Sequence, residues 1–172
     1  IRTYYPITSR TFLDALQAHG IKAIIGIPSF DDRSHRGHDI QGGGYQDYIR
    51  QYRNHPAILM WELGNEYNYH PEWFNGDINN WYSMLQRTAT EVKRIDPTRK
   101  VATAHGEISD LTPGILNRAT AVDVWGINIY RHTDSSAVIA AGRALRAHPD
   151  VQNRDIQFYI SETGTDSFDA GA

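Results

Sequence analysis

Apolar positions along the chain fall into two kinds of run that take turns. Short, nearly continuous apolar stretches at 1–4, 22–27, 58–63, 100–103, 122–129 and 156–160 have the length and composition of strands buried on both faces. Between them, apolar residues recur every three or four positions, the period of a helix with one buried side. Phe12, Leu13, Ala15, Leu16 and His19 form such a stripe over 9–19, behind a Thr8 or Ser9 cap, and Gly20 stands where a helix ends. The clearest helix follows Asp77, carries Trp81, Leu85, Thr88, Ala89, Val92 and Ile95 on one side, and stops at Asp96-Pro97. Shorter helices are expected over 45–53, 113–119 and 136–147. Six strands alternating with five helical segments predict an α/β protein of repeated β-α units around a parallel sheet.

One connection breaks this rhythm. Residues 29–44 are polar, hold Asp31, Asp32, His35, His38 and Asp39, and end in three glycines, which reads as a long surface loop. Its His-x-x-His spacing has no helix to aim both rings at one ion, so no metal is expected there.

Composition narrows the class of partner. A chain of 172 residues, 40% hydrophobic and 22% charged, suits a single globular domain spanning 1–172. A net charge of -3 without a basic run gives no reason to expect nucleic acid or an anionic membrane. No apolar stretch approaches the roughly 18 residues of a membrane span. The lack of cysteine removes a disulfide framework and a thiolate metal site, and leaves the compartment open. Nothing in the pattern speaks to oligomeric state. The opening Ile1-Arg2-Thr3-Tyr4-Tyr5, already strand-like and without an initiator Met, suggests a segment of a longer polypeptide.

Two apolar runs end in carboxylates: Ile58-Leu59-Met60-Trp61-Glu62-Leu63-Gly64-Asn65-Glu66 and Phe158-Tyr159-Ile160-Ser161-Glu162. Breaking a glycosidic bond takes one carboxyl to protonate the departing oxygen and a second to attack or shield the anomeric carbon. If both runs are strands of one parallel sheet, their C-terminal ends share a rim. Glu62, inside a buried strand, needs a partner of its own, and Arg2 is the nearest candidate in this arrangement.

The stretch from Asn54-His55-Pro56 through Gly64-Asn65-Glu66 resembles the fourth-strand signature of family 2 glycoside hydrolases, whose Asn-Glu core is shared across the wider clan A of retaining glycosidases. Ile160-Ser161-Glu162 is similar to the clan's seventh strand, Ile1-Arg2-Thr3-Tyr4 resembles its second, and Trp125-Gly126-Ile127-Asn128-Ile129-Tyr130 its sixth. The resemblance implies a TIM (β/α)8 barrel, present as about six β-α units and lacking the first and last strands, which suits the length at roughly 30 residues per unit.

It also implies a retaining O-glycoside hydrolase acting on β-linked sugars, needing no cofactor, with Glu66 as acid/base and Glu162 as nucleophile about 5 to 5.5 Å apart. Arg2 and Tyr130 would hold the nucleophile, and Asn65 would bond the sugar 2-hydroxyl. Tyr67, Tyr69 and Trp73 follow Glu66 and either stack on sugar rings or pack on their own loop. His105, ending the next strand, either bonds substrate or Glu66 or is a satisfied structural histidine. A β-glucan transglycosylase using the same two glutamates, and a non-catalytic carbohydrate-binding protein, are the competing expectations.

Overall fold

The computed structural model describes residues 1–30, 37–130, 135–151 and 154–164. Six strands, β1 (Arg2–Thr3), β2 (Ala23–Ile27), β3 (Ile58–Asn65), β4 (Lys100–Gly106), β5 (Val124–Ile129) and β6 (Gln157–Thr163), lie in chain order in one sheet. Every neighbouring pair is parallel. Parallel neighbours need a crossover, and each is a helix: α1 (Arg10–Ala18), α2 (Tyr45–Tyr52), α3 (Ile78–Ile95), α4 (Pro113–Arg118) and α5 (Ser135–Ala147). The result is a partial (β/α)8 barrel, as expected.

The period-two alternation of the strands sorts their side chains into two layers. Trp61, Leu63, Val101, Trp125 and Ile127 belong to the large core shared with Leu13, Leu85, Ala89 and Val92 of the helices. Met60, Ala102 and Val124, with Ile24 and Tyr159, form a smaller separate cluster on the inner face. Full burial of each large side chain contributes about 1.5–3 kcal/mol. The main layer therefore carries most of the stability, and the inner face the smaller share.

Helix ends follow the sequence closely. Ser9 accepts from the Phe12 N–H and Asp77 from the Asn79 N–H, so both candidate caps satisfy an orphan donor. Asp96 ends α3 and also accepts from the Trp61 indole at 2.9 Å, tying helix to sheet. In α1 the buried stripe is narrower than expected. Leu13 and Leu16 are buried, whereas Phe12, Ala15 and His19 are exposed, because only one flank of this helix faces the sheet.

Strand ends differ more. β4 runs to Gly106 rather than Thr103, since Ala104, His105 and Gly106 continue to pair with Gly126, Ile127 and Asn128. β6 starts one residue later than Ile156 and runs to Thr163, which places Glu162 inside the strand. Polar side chains obscure these ends in the sequence while the backbone ladder continues. Among the metal-ligand candidates, the Asp39 carboxylate accepts the Gly42 N–H at 2.7 Å and the His38 ring lies 5.2 Å from that of Tyr48. Asp31, Asp32 and His35 lie outside the described residues. Among the described residues no helix is long and apolar enough to cross a membrane.

Candidate active site

Glu66 stands at the point where β3 leaves the sheet. The β3–β4 register shifts between Glu62 and Asn65, a bulge-like irregularity of the kind that re-aims side chains at a strand end. Gly64 has φ +70°, and a Cβ there would meet the Trp81 and Tyr67 rings at 2.8 Å, so both conformation and space demand glycine. Glu66 itself has φ 54° and ψ 24°, a left-handed conformation costing about 1–2 kcal/mol for a residue with a Cβ. Its N–H donates to the Ala104 carbonyl at 2.9 Å, and its carbonyl accepts from the Tyr69 N–H at 3.1 Å. Strain held in place by surrounding bonds is a frequent mark of a working position.

Glu162 reaches the same rim from the far edge of the sheet. A second register shift, opposite Ile127 and Asn128, pairs Glu162 with Asn128 and turns its carboxyl inward. Arg2 Nη1 donates to Glu162 Oε1 at 2.5 Å, Tyr4 Oη to the same oxygen at 2.9 Å, and Tyr130 Oη to Oε2 at 2.5 Å. Partial burial works against the Glu162 charge, but the donors Tyr130, Arg2 and Tyr4 together hold the carboxyl below the usual glutamate range. The same contact, with some burial, pushes the Tyr130 phenol up to about 12, and it also feels the Glu66 charge. Tyr4 is raised too, by burial first and then by Glu162.

Arg2 is the hub of this arrangement. Besides Glu162, its Nε donates to Glu62 Oε1 at 2.6 Å and its Nη2 to Asn65 Oδ1 at 2.7 Å. Glu62 is 1% exposed; burial pushes its carboxyl up, and Arg2 and a hydrogen bond from Tyr159 pull it part of the way back. The pairing of Glu62 with Arg2 is the one expected. Asn65 Oδ1 also accepts from Asn128 Nδ2 at 3.2 Å, and Asn128 Oδ1 accepts from Ser161 Oγ at 2.6 Å. Side chains from β1, β3, β5 and β6 thus form one connected polar layer above the inner apolar cluster.

A cleft of about 370 Å³ opens beside this layer, lined by Asn65, Glu66, Tyr4, Phe30, His70 and Trp73 among others. Trp73 is 42% exposed, stacks on His70 with ring centroids 3.6 Å apart, and meets Phe30 edge-on at 5.3 Å. Tyr67 is buried in the core, with its hydroxyl accepting from the Ser29 N–H. Tyr69 lies against Gly106, where a Cβ would fall 2.1 Å from its ring, and it is not among the residues lining the cleft.

His105 is not brought to the cleft. It is 3% exposed and lies 6.1 Å from the Trp125 ring, in the layer between sheet and helices. The Gly106 carbonyl can only accept, so Nδ1, 2.6 Å away, carries the proton, and Nε2 accepts from Tyr82 Oη at 3.1 Å. Burial pushes its pKa down, in keeping with a neutral ring. The strand alternation that points Ala104 and Gly106 inward points His105 outward, and this was readable in the sequence once the strand was known to reach Gly106. Tyr4, Asn128 and Ser161 join the site without having been singled out. Only Asn128 and Ser161 carry a prior signal, as polar residues within apolar strands.

A model of the glycosyl hydrolases family 2 TIM barrel domain matches residues 18–163. The chain is 39% identical over 57 residues to a provisional beta-glucuronidase of Formosa agariphila, covering 33% of this chain and 7% of that protein. It is 31% identical over 111 residues to the mannan endo-1,4-beta-mannosidase F of Aspergillus clavatus, covering 53% of this chain and 24% of that one. The beta-D-glucuronidase of Dictyoglomus thermophilum superposes with a TM-score of 0.63 at 19% identity, over 98% of this chain and 30% of its own. The chain therefore spans less than a third of the length of each of these relatives.

Proposed function

The chain belongs to glycosyl hydrolase family 2, and from that premise we propose that it carries the catalytic centre of a retaining hydrolase of β-linked O-glycosides. The observation that carries this reading is the Glu162 carboxylate, gripped by Arg2, Tyr4 and Tyr130 at the rim where Glu66 lines the cleft. A nucleophile must be ionised at working pH, and three donors on one carboxylate favour the charged form. In the first step a Glu162 oxygen bonds to the anomeric carbon, the bond to the leaving group breaks, and Glu66 gives its proton to the departing oxygen. In the second, Glu66 takes a proton from water, the water oxygen bonds to the anomeric carbon, and Glu162 is released.

Asn65 spends its Oδ1 on Arg2 and Asn128, which leaves its NH2 to donate to the sugar 2-hydroxyl. Trp73, with Phe30 and His70 around it, offers a flat apolar surface on the leaving-group side. We infer also that the six-stranded sheet is the middle of an eight-stranded barrel, two further β-α units completing the pocket wall.

The test uses 4-methylphenyl β-glycosides, whose poor leaving group needs acid help, of glucuronate, galacturonate, mannose, galactose and glucose with the protein at its natural length. Glu66→Gln and Glu162→Gln should each lower kcat/KM by more than about a hundredfold on the best of these substrates. Proton NMR of the first-formed sugar should show the β anomer. Losses under a hundredfold in both variants, or an α first product, overturn the reading.

A further inference from the structure

The three residues after Glu66 are pinned on both flanks, and the pins are unlike. On one side Tyr67 is buried, its ring 4.8 Å from Trp81 and its hydroxyl on the Ser29 N–H. On the other, Asn68 Oδ1 accepts the Gly106 N–H at 2.9 Å and Asn68 Nδ2 donates to the Gly106 carbonyl at 3.4 Å. One side-chain amide thus grips both polar groups of a single residue at the end of β4. That residue is itself fixed from behind by the His105 ring and covered by Tyr69, which a Cβ on Gly106 would displace. Glu66 immediately precedes these pins in a left-handed conformation, joined to β4 by its N–H and to Tyr69 by its carbonyl.

We propose that Asn68 is a positioning residue for Glu66: by clamping the turn to Gly106 it holds the left-handed backbone that aims the Glu66 carboxyl along the cleft. The inference rests on the acid/base reading of Glu66 given above. An unclamped turn relaxes toward ordinary backbone angles, which swings the carboxyl off the departing oxygen and leaves Glu162 untouched, because Glu162 is held by β1 and the end of β5 instead. Proton donation suffers while nucleophilic attack does not.

That separation gives a measurement that a merely structural role would not move. Need for a general acid grows with the pKa of the leaving group, so kcat/KM is compared on 2,4-dinitrophenyl and 4-methylphenyl β-glycosides of the sugar that the wild type turns over fastest. Asn68→Ala, in the protein at its natural length, should lose about tenfold or more on the methylphenyl substrate and less than about threefold on the dinitrophenyl one. Retained dinitrophenyl turnover also shows that the variant is folded. Equal losses on both substrates, or none on either, overturn the proposal. Glu66→Gln runs in parallel and should show the same selectivity more steeply. A flat response there overturns the acid/base reading itself, and this inference with it, whereas a steep Glu66→Gln response beside a flat Asn68→Ala response sinks the clamp alone.

Discussion

Tyr130 shows how much of this site turns on single hydrogen bonds. Its hydroxyl is one of three donors keeping the Glu162 carboxyl below its ordinary range. If Glu162 is the nucleophile, as proposed above, it must be ionised to attack, and activity should fall as pH drops through its depressed pKa. Tyr130→Phe removes a donor, and the acid limb of the kcat/KM profile should move to higher pH, toward the ordinary carboxylate value, as a pH-rate series would show. The stability sign agrees: a depressed carboxyl stabilises the fold above its unfolded pKa and loses that contribution as pH falls through the folded value. The variant should therefore be less stable than wild type near neutrality, with the gap closing in acid. At this scale the sequence was informative where residues sat in motifs. Arg2, Asn65, Glu66, Tyr130 and Glu162 all come to the rim. It was uninformative for Tyr4, since a tyrosine just past a two-residue strand has no pattern to distinguish it, and for His105, whose facing depends on a strand end hidden by polar residues.

Elements add what single residues cannot show. Strand and helix identities were legible because period and punctuation are local properties, and all six strands and five helices occupy their expected places. Register shifts were not legible, because a bulge is a relation between two strands and leaves no mark on either alone. The two nearest the site turn Asn65, Glu66 and Glu162 toward one rim. Gly64 shows how tightly that geometry is packed: with φ +70° and ring atoms 2.8 Å from a would-be Cβ, Gly64→Ala should destabilise the protein by about 1–3 kcal/mol or more. Its thermal midpoint should fall accordingly, with loss of activity beyond what unfolding explains. Asp77→Ala is the contrasting case, because it removes the α3 cap at a residue that does not line the cleft. It should cost about 1 kcal/mol in a denaturation curve and leave kcat unchanged.

Over the whole molecule, the sheet has two outer edges, β1 and β6, and apolar groups lie near one of them. Ile139 and Ile160 are 52% and 41% exposed, and the Phe158 ring beside them is covered by the Arg146 guanidinium at 5.4 Å. Exposed strand edges with apolar flanks recruit other strands. Residues 1–172 expressed alone should self-associate, and Ile160→Lys should shift them toward monomer in light scattering after size exclusion; an unchanged mass distribution would count against this. The same two edges are bridged at the rim by Arg2, which begins β1 and grips Glu162 in β6, 160 positions later. During synthesis, then, the guanidinium leaves the ribosome long before its last acceptor exists, and meanwhile has only Glu62 and Asn65 to hold. A polypeptide that stops short of β6 would leave Arg2 its bonds to Glu62 and Asn65 and remove its bond to Glu162. Such a product keeps the clasp between β1 and β3 and loses the ion pair that ties the two edges of the sheet together.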